Sequence, residues 1–219
     1  VVRIGKKSIK EELIEMLFPY LDRIIGVFIF GSHARNEFSE NSDIDILIIA
    51  KEKFKIEKRK GFEIIIIEER RIREAIKTNP IIMYSIFREA KPIINLQYLE
   101  NLKKLKIEKS YFKQFILTSY KSIRSDKEIL FLDRKTGKTA SNAVVYSLVL
   151  RLRGIFIINK LIKKQEYSNK LFKEWILNNC NIAFKKVYEA YQSVRDNKEK
   201  EDVLSIKDAE MLLKFLEKE

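Results

Sequence analysis

Phe28-Ile29-Phe30-Gly31-Ser32-His33-Ala34-Arg35-Asn36, followed after a short spacer by Asn41-Ser42-Asp43-Ile44-Asp45-Ile46-Leu47-Ile48-Ile49, is the stretch whose reading decides the fold. It reads as a strand, a tight turn, a polar loop and a second strand. An apolar run that stops at Gly-Ser turns sharply, because glycine accepts backbone angles closed to other residues and lets a ligand approach the main chain. Such a turn can present amide groups to phosphate. The second run opens with carboxylates at i and i+2, and the two-residue period of a strand points both to one face.

Two acids so close repel unless a cation lies between them. Magnesium suits the pattern, since it takes oxygen ligands from one or two carboxylates together with substrate phosphates. Asp-x-Asp alone leaves a plainer alternative open, in which Asp43 caps a turn and Asp45 faces solvent. The Gly-Ser turn ahead of it favours the metal.

Together, Gly31-Ser32-His33-Ala34-Arg35 and Ser42-Asp43-Ile44-Asp45 resemble the signature of the polymerase-beta-like nucleotidyltransferase superfamily, especially its small prokaryotic members. The resemblance implies a metal-dependent transfer of a nucleoside monophosphate, AMP above all, from a nucleoside triphosphate to an acceptor hydroxyl, with release of pyrophosphate. It implies that Gly31, Ser32, Arg35 and Ser42 bind the nucleotide and that Asp43 and Asp45 ligate two magnesium ions. Relatives carry a third acid, generally Asp, on a following strand, and here Glu63 stands in that place, one methylene longer. On this reading Asp43, Asp45 and Glu63 are both the catalytic and the metal-binding set. Asn36 stands where many relatives have Gly, and Asn also tolerates left-handed backbone angles.

Around this motif the chain divides. Ile9, Leu13, Ile14, Leu17 and Phe18 recur at helical spacing, with Ser8 as cap and Glu11 at the capping-box position, so Ser8 to Tyr20 reads as a helix. Ile24 to Gly31 and Asp43 to Ala50 are the first two strands. Gly61-Phe62-Glu63-Ile64-Ile65-Ile66-Ile67 is a third, β-branched enough to be covered on both faces. An unpaired carboxylate near the start of such a strand is costly, so Glu63 calls for a cation, either a metal or a basic side chain at the strand mouth. Glu68 to Thr78 and Pro80 to Glu89 follow as helices, and Lys91-Pro92-Ile93-Ile94 as a short edge strand, where proline is tolerated.

From Tyr98 onward the pattern is helical: Tyr111 to Ser122, Thr139 to Lys163, Asn169 to Leu177 with Ser168 as N-cap, Ile182 to Arg195, and Val203 to Lys218. The expectation is an α+β chain with a nucleotidyltransferase-type mixed sheet and flanking helices over residues 1–97. An all-α helical bundle covers 98–219, and the site lies in the cleft between them. Tyr111, Phe112, Phe115, Tyr120, Phe156, Phe172, Trp175, Phe184 and Tyr188 are spaced as core residues. Arg151 and Arg153 either reach an anionic substrate or lie solvated on a helix.

Composition bounds the rest. With 46% hydrophobic residues over 219 positions the chain is globular, and a single cysteine, Cys180, excludes an internal disulfide. No apolar run approaches the roughly 20 residues needed to cross a bilayer, and no leader is evident, so the expectation is a cytoplasmic protein without membrane association. Residues 1–100 carry 18 Lys and Arg against 16 Asp and Glu, whereas residues 101–219 carry 26 against 15. The second half is the basic one, which attracts polyanions, although lysine-rich helix faces are also a feature of heat-adapted proteins. The expected partners are a nucleoside triphosphate, an acceptor that is protein, RNA or a small molecule such as an aminoglycoside, and a second copy of the chain in a homodimer. The alternatives are a non-catalytic nucleotide-binding or antitoxin-like interaction module, and an RNA-binding protein led by the basic half. Some kin pair with a helical ribonuclease whose signature places histidine soon after arginine; the sole histidine here is His33, in the Gly-Ser turn, so that activity is not expected in the bundle.

Overall fold

A computed structural model describes residues 9–38, 42–57, 59–137, 139–195 and 204–219. The cap expected at Ser8, the loop residue Asn41 and the helix start expected at Val203 lie outside these. The strands β1 (Ile24–Phe30), β2 (Ile44–Ala50), β3 (Phe62–Glu68) and β4 (Lys91–Ile94) form one sheet in the order β3-β2-β1-β4. β1 runs antiparallel to β2 and to β4, while β2 and β3 are parallel. The fold is thus α+β with a mixed sheet.

Ile46, Leu47, Ile48, Ile49 and Ala50 of β2 are all 0% exposed, which places β2 under cover on both faces and explains its unbroken apolar run. Burying each of the larger side chains contributes roughly 1.5–3 kcal/mol. The expectation that β3 is likewise covered on both faces does not hold. β3 is an edge strand whose residues are mostly half-exposed, and only Ile67 and Glu68 are buried. Its β-branched run serves the one face that packs on the core with β2. Glu68 is held by Arg70, whose Nη2 lies 2.7 Å from its Oε2.

Helix α1 (Ile9–Leu17) buries Leu13 and Leu17 against the sheet and runs into a 3-10 turn over Phe18–Arg23, where Pro19 cannot continue the α-helix. Among its described residues the crossover between β2 and β3 contains no helix, and Phe54 anchors it by stacking on Tyr20 at 4.9 Å between ring centroids. A one-turn helix, α2 (Gly31–Ala34), occupies the place of the expected tight turn. After β3 come α3 (Ile72–Thr78), α4 (Pro80–Glu89), with proline at its first turn, and, beyond β4, α5 (Leu96–Lys103).

The chain divides into two compact units, one ending at Ile107 and the other beginning at Glu108. The boundary drawn from the sequence, at 97/98, falls inside α5. That helix is tied to the first unit: Asn95, in left-handed conformation, caps it through Tyr98 N–H and donates from Nδ2 to Ile25 O at 2.9 Å, and Tyr84 Oη donates to Lys106 O at 2.8 Å.

The second unit is made of α6 (Lys113–Lys135), α7 (Asn142–Ile162), α8 (Asn169–Asn179), α9 (Phe184–Arg195) and α10 (Ile206–Lys218). α6 runs 13 residues past the end expected at Ser122. Ser168 caps α8 as expected, accepting from Leu171 N–H at 3.1 Å. Phe156, Phe172, Trp175, Phe184 and Phe215 form an aromatic core, whereas Tyr120, expected within the core, is 64% exposed. α6 and α7 approach closely at Gly154, where a Cβ would lie 2.1 Å from the Phe115 ring. Arg151 turns inward at that seam, donating from Nη1 to Thr118 Oγ1 at 3.3 Å with its guanidinium over Phe115.

Candidate active site

The site is built where β1 ends and β2 begins. Gly31 follows β1 directly with φ +70, a backbone conformation glycine adopts without strain. A Cβ at Gly31 would lie 1.9 Å from Asp45 Oδ2 and 2.8 Å from Asp45 Cγ, so the missing side chain is what lets the carboxylate lie against the turn. The turn closes through Arg35 N–H to Gly31 O at 3.2 Å and Glu37 N–H to Ser32 O at 2.9 Å. Asn36 then takes φ 57, the left-handed angle its side chain permits.

Asp45 pairs across the sheet with Phe30 of β1 on one side and Glu63 of β3 on the other. This register brings the two acids side by side. Parallel pairing of β2 with β3 sets Glu63 beside Asp45, and antiparallel pairing of β1 with β2 sets the Gly31 turn at the same end of the sheet. Asp45 is half-buried and Glu63 exposed on the edge strand; Asp43 lies exposed just before β2. Ser42 is half-buried, and its carbonyl faces His33 Nε2 at 3.4 Å. His33 also stacks on Phe38, with centroids 4.4 Å apart and rings 6° from parallel.

Burial first, then the charges of Glu63 and Glu89, push the Asp45 carboxyl up to about 6, against the opposing pull of Arg35 and His33. An ionised carboxylate here is held at a disadvantage that a cation would relieve. The donors are all carboxylate oxygens, the set a hard divalent ion takes, so the residues present fit magnesium by chemistry. Among the described residues, no group of three or more His, Cys, Asp or Glu side chains gathers as a closed metal cluster.

Glu89, the last residue of α4, was not singled out by the sequence, yet it touches the turn at two points. Its Oε1 accepts from Gly31 N–H at 2.8 Å, and its Oε2 accepts from Arg35 Nη1 at 2.6 Å. Arg35 Nε is bonded in turn to Glu37 Oε2 at 2.9 Å. The Gly31 amide and part of the Arg35 guanidinium, both expected to face phosphate, are therefore engaged by protein carboxylates. Burial lowers and these two carboxylates raise the Arg35 pKa, and the net shift is upward. The signal that marks Glu89 is electrostatic: a carboxylate in the last turn opposes the helix dipole, which favours cations there. A residue that breaks a local rule is a candidate for a role elsewhere.

The strand, the one-turn helix and the carboxylates of the neighbouring strands meet at one end of the sheet. A family model described as "Nucleotidyltransferase domain" matches residues 7–127, more than half of the chain, and the chain belongs to that family. Two curated proteins of Methanocaldococcus jannaschii are similar over shorter stretches. The "Putative protein adenylyltransferase MJ0604" is 46% identical over 44 residues, 20% of this chain and 44% of that protein. The "Putative protein adenylyltransferase MJ0141" is 44% identical over 46 residues, 21% of this chain and 43% of that protein. The matched stretches thus span under half the length of these relatives. Among solved structures, spectinomycin adenyltransferase AAD(9) from Enterococcus faecialis, determined with ATP and spectinomycin, overlays with TM-score 0.49 and 14% identity, over 95% of this chain and 96% of that one. A nucleotidyltransferase-like protein from Exiguobacterium sibiricum 255-15 overlays with TM-score 0.41 and 12% identity, over 96% of this chain and 74% of that one.

Proposed function

We propose that the chain is a nucleotidyltransferase that moves a nucleoside monophosphate, AMP by preference, from a nucleoside triphosphate to an acceptor hydroxyl. The observation that carries this reading is the contact between the Gly31 turn and the Asp45 carboxylate, with Glu63 in register on the next strand. It unites the Gly-Ser turn and paired acids in one place. Family membership supports the reaction type, and the adenylyltransferase names of the M. jannaschii relatives support AMP as the group moved and protein as the acceptor.

In this reaction the acceptor oxygen forms a bond to the α-phosphorus as the bond from that phosphorus to pyrophosphate breaks, and the hydroxyl proton is lost. Phosphoryl transfer asks little covalent chemistry of the protein, so positioning and charge do most of the work. Gly31, Ser32 and Ser42 line the place for the triphosphate, with Arg35 held by Glu37 and Glu89 at the end of the turn. Asp43, Asp45 and Glu63 would hold magnesium, as two ions, which when bound neutralises triphosphate charge and eases loss of the acceptor proton. Glu63 is exposed on the edge strand.

The test is to incubate the protein with magnesium, cell lysate and α-labelled ATP, GTP, CTP or UTP. Label from ATP on a protein band is the expected result. Label from no nucleotide on any macromolecule or small molecule, in a protein that still binds nucleotide, would replace the enzyme by a binding module.

A further inference from the structure

The half-buried Glu89 carboxylate at the Gly31 turn has no part in the reaction as described so far. We propose that Glu89 is a positioning residue for the nucleotide, fixing the turn so that its outward face meets the triphosphate already shaped; the inference rests on the nucleotidyltransferase reading. Its two oxygens go to two partners at opposite ends of the turn, Gly31 N–H and Arg35 Nη1. Those ends are also joined to each other by the Arg35 N–H bond to Gly31 O. The result is a closed brace of three bonds.

Three features make this brace more than a surface ion pair. The side chains of Glu89 and Arg35 are 9% and 16% exposed, so water competes weakly for the pair, and removing Glu89 leaves Arg35 with Glu37. The Gly31 position decides how closely the turn meets Asp45, because Asp45 Oδ2 already occupies the space of a Cβ there. A carboxylate that pins Gly31 therefore sets the spacing between the phosphate turn and the acid pair. Finally, Glu89 closes α4 with the charge the helix dipole disfavours, and the bonds to the turn help to offset it. A turn held in this way needs little reorganisation when ligand arrives, which is where preorganisation gains affinity.

Two substitutions separate the bonds. In Glu89→Gln the side-chain oxygen can still accept from Gly31 N–H, but the amide nitrogen cannot accept from Arg35; Glu89→Ala removes both acceptors. ATP with magnesium is titrated by calorimetry into wild type and both variants, urea unfolding checks the fold, and Gly31 amide exchange is followed by NMR. The expected result is ATP affinity weakened about tenfold in Glu89→Gln and further in Glu89→Ala, about 1.4 kcal/mol per tenfold. Gly31 protection should be kept in Gln and lost in Ala. A KM for ATP that rises more than kcat falls belongs to the same expectation. Binding within twofold of wild type in both folded variants, or a Gly31 amide as exchangeable in wild type as in Ala, overturns the positioning role while leaving the proposed function standing. Wild-type protein that binds no nucleotide overturns both. If Glu89→Ala fails to fold, Gln alone decides.

Discussion

Replacing Asp45 by Asn should make the metal-free protein more stable at neutral pH, the reverse of what most half-buried substitutions do. The Asp45 carboxyl is raised from 3.8 to about 6 by burial and by the charges of Glu63 and Glu89. A rise of about two units corresponds to roughly 3 kcal/mol, and because the carboxylate is only half-buried, screening leaves about 1 kcal/mol of that as real destabilisation. The sign follows from linkage. The folded protein binds this proton more tightly than the unfolded chain, so the contribution is fully favourable below the unfolded pKa and is lost as pH rises through about 6. Asn never ionises and escapes the loss. Urea unfolding in the presence of a chelator, at about pH 7.5 and again at about pH 4.5, should show the variant ahead of wild type at the higher pH and the gap closing at the lower. Added magnesium should stabilise wild type and leave the variant nearly unmoved, since binding to the native state alone shifts the equilibrium. A variant less stable than wild type at the higher pH, or a difference identical at both, refutes the account of Asp45 as a carboxylate held at a disadvantage.

The remaining expectations concern the same sheet end and the basic half. Gly31→Ala should destabilise by about 2–4 kcal/mol, combining a positive φ with the clash against Asp45, and much of that should disappear in an Asp45→Ala background; equal losses in both backgrounds would place the strain elsewhere. Glu63→Gln should bind ATP as wild type does and transfer AMP slower by two or more orders of magnitude, because the lost interaction acts in the transition state; a wild-type rate at saturating magnesium removes Glu63 from the chemistry. If the +11 balance of residues 101–219 serves RNA, with 26 Lys and Arg against 15 Asp and Glu, affinity should fall steeply with salt, and a flat titration rules that partner out.

The strands and the turn were legible because their signals are local. An apolar run broken at Gly-Ser, a proline at the edge strand and a proline opening α4 each act within a few residues, and β4 and α4 appear with the bounds read from the sequence. What escaped depended on partners far along the chain. Whether β3 is central or at the edge is a matter of strand order, which a run of isoleucines does not encode. Glu89 meets Gly31 across 58 residues, so nothing beside either of them announced the bond. Arg151 was open between a substrate-facing and a solvated place because its inward partner, Thr118, is on another helix. Asp45 and Glu63 stand side by side through the parallel register of two strands, a long-range pairing that neither segment shows by itself.

The sheet is assembled from pieces of very different sequence separation, and this orders its formation in time. β1 and β2 join across a short connection, whereas β4 must return to β1 from more than sixty residues away, Val27 meeting Ile94. Closing the longer loop carries the greater entropic cost, so early folding favours the β1–β2 hairpin with the Gly31 turn at its tip. Glu89 sits just ahead of β4 and arrives with it. The turn is therefore shaped first and locked last, so a nascent chain still short of β4 has the loop without its lock. Exchange-labelling during refolding should then show the β1–β2 amides protected before that of Gly31.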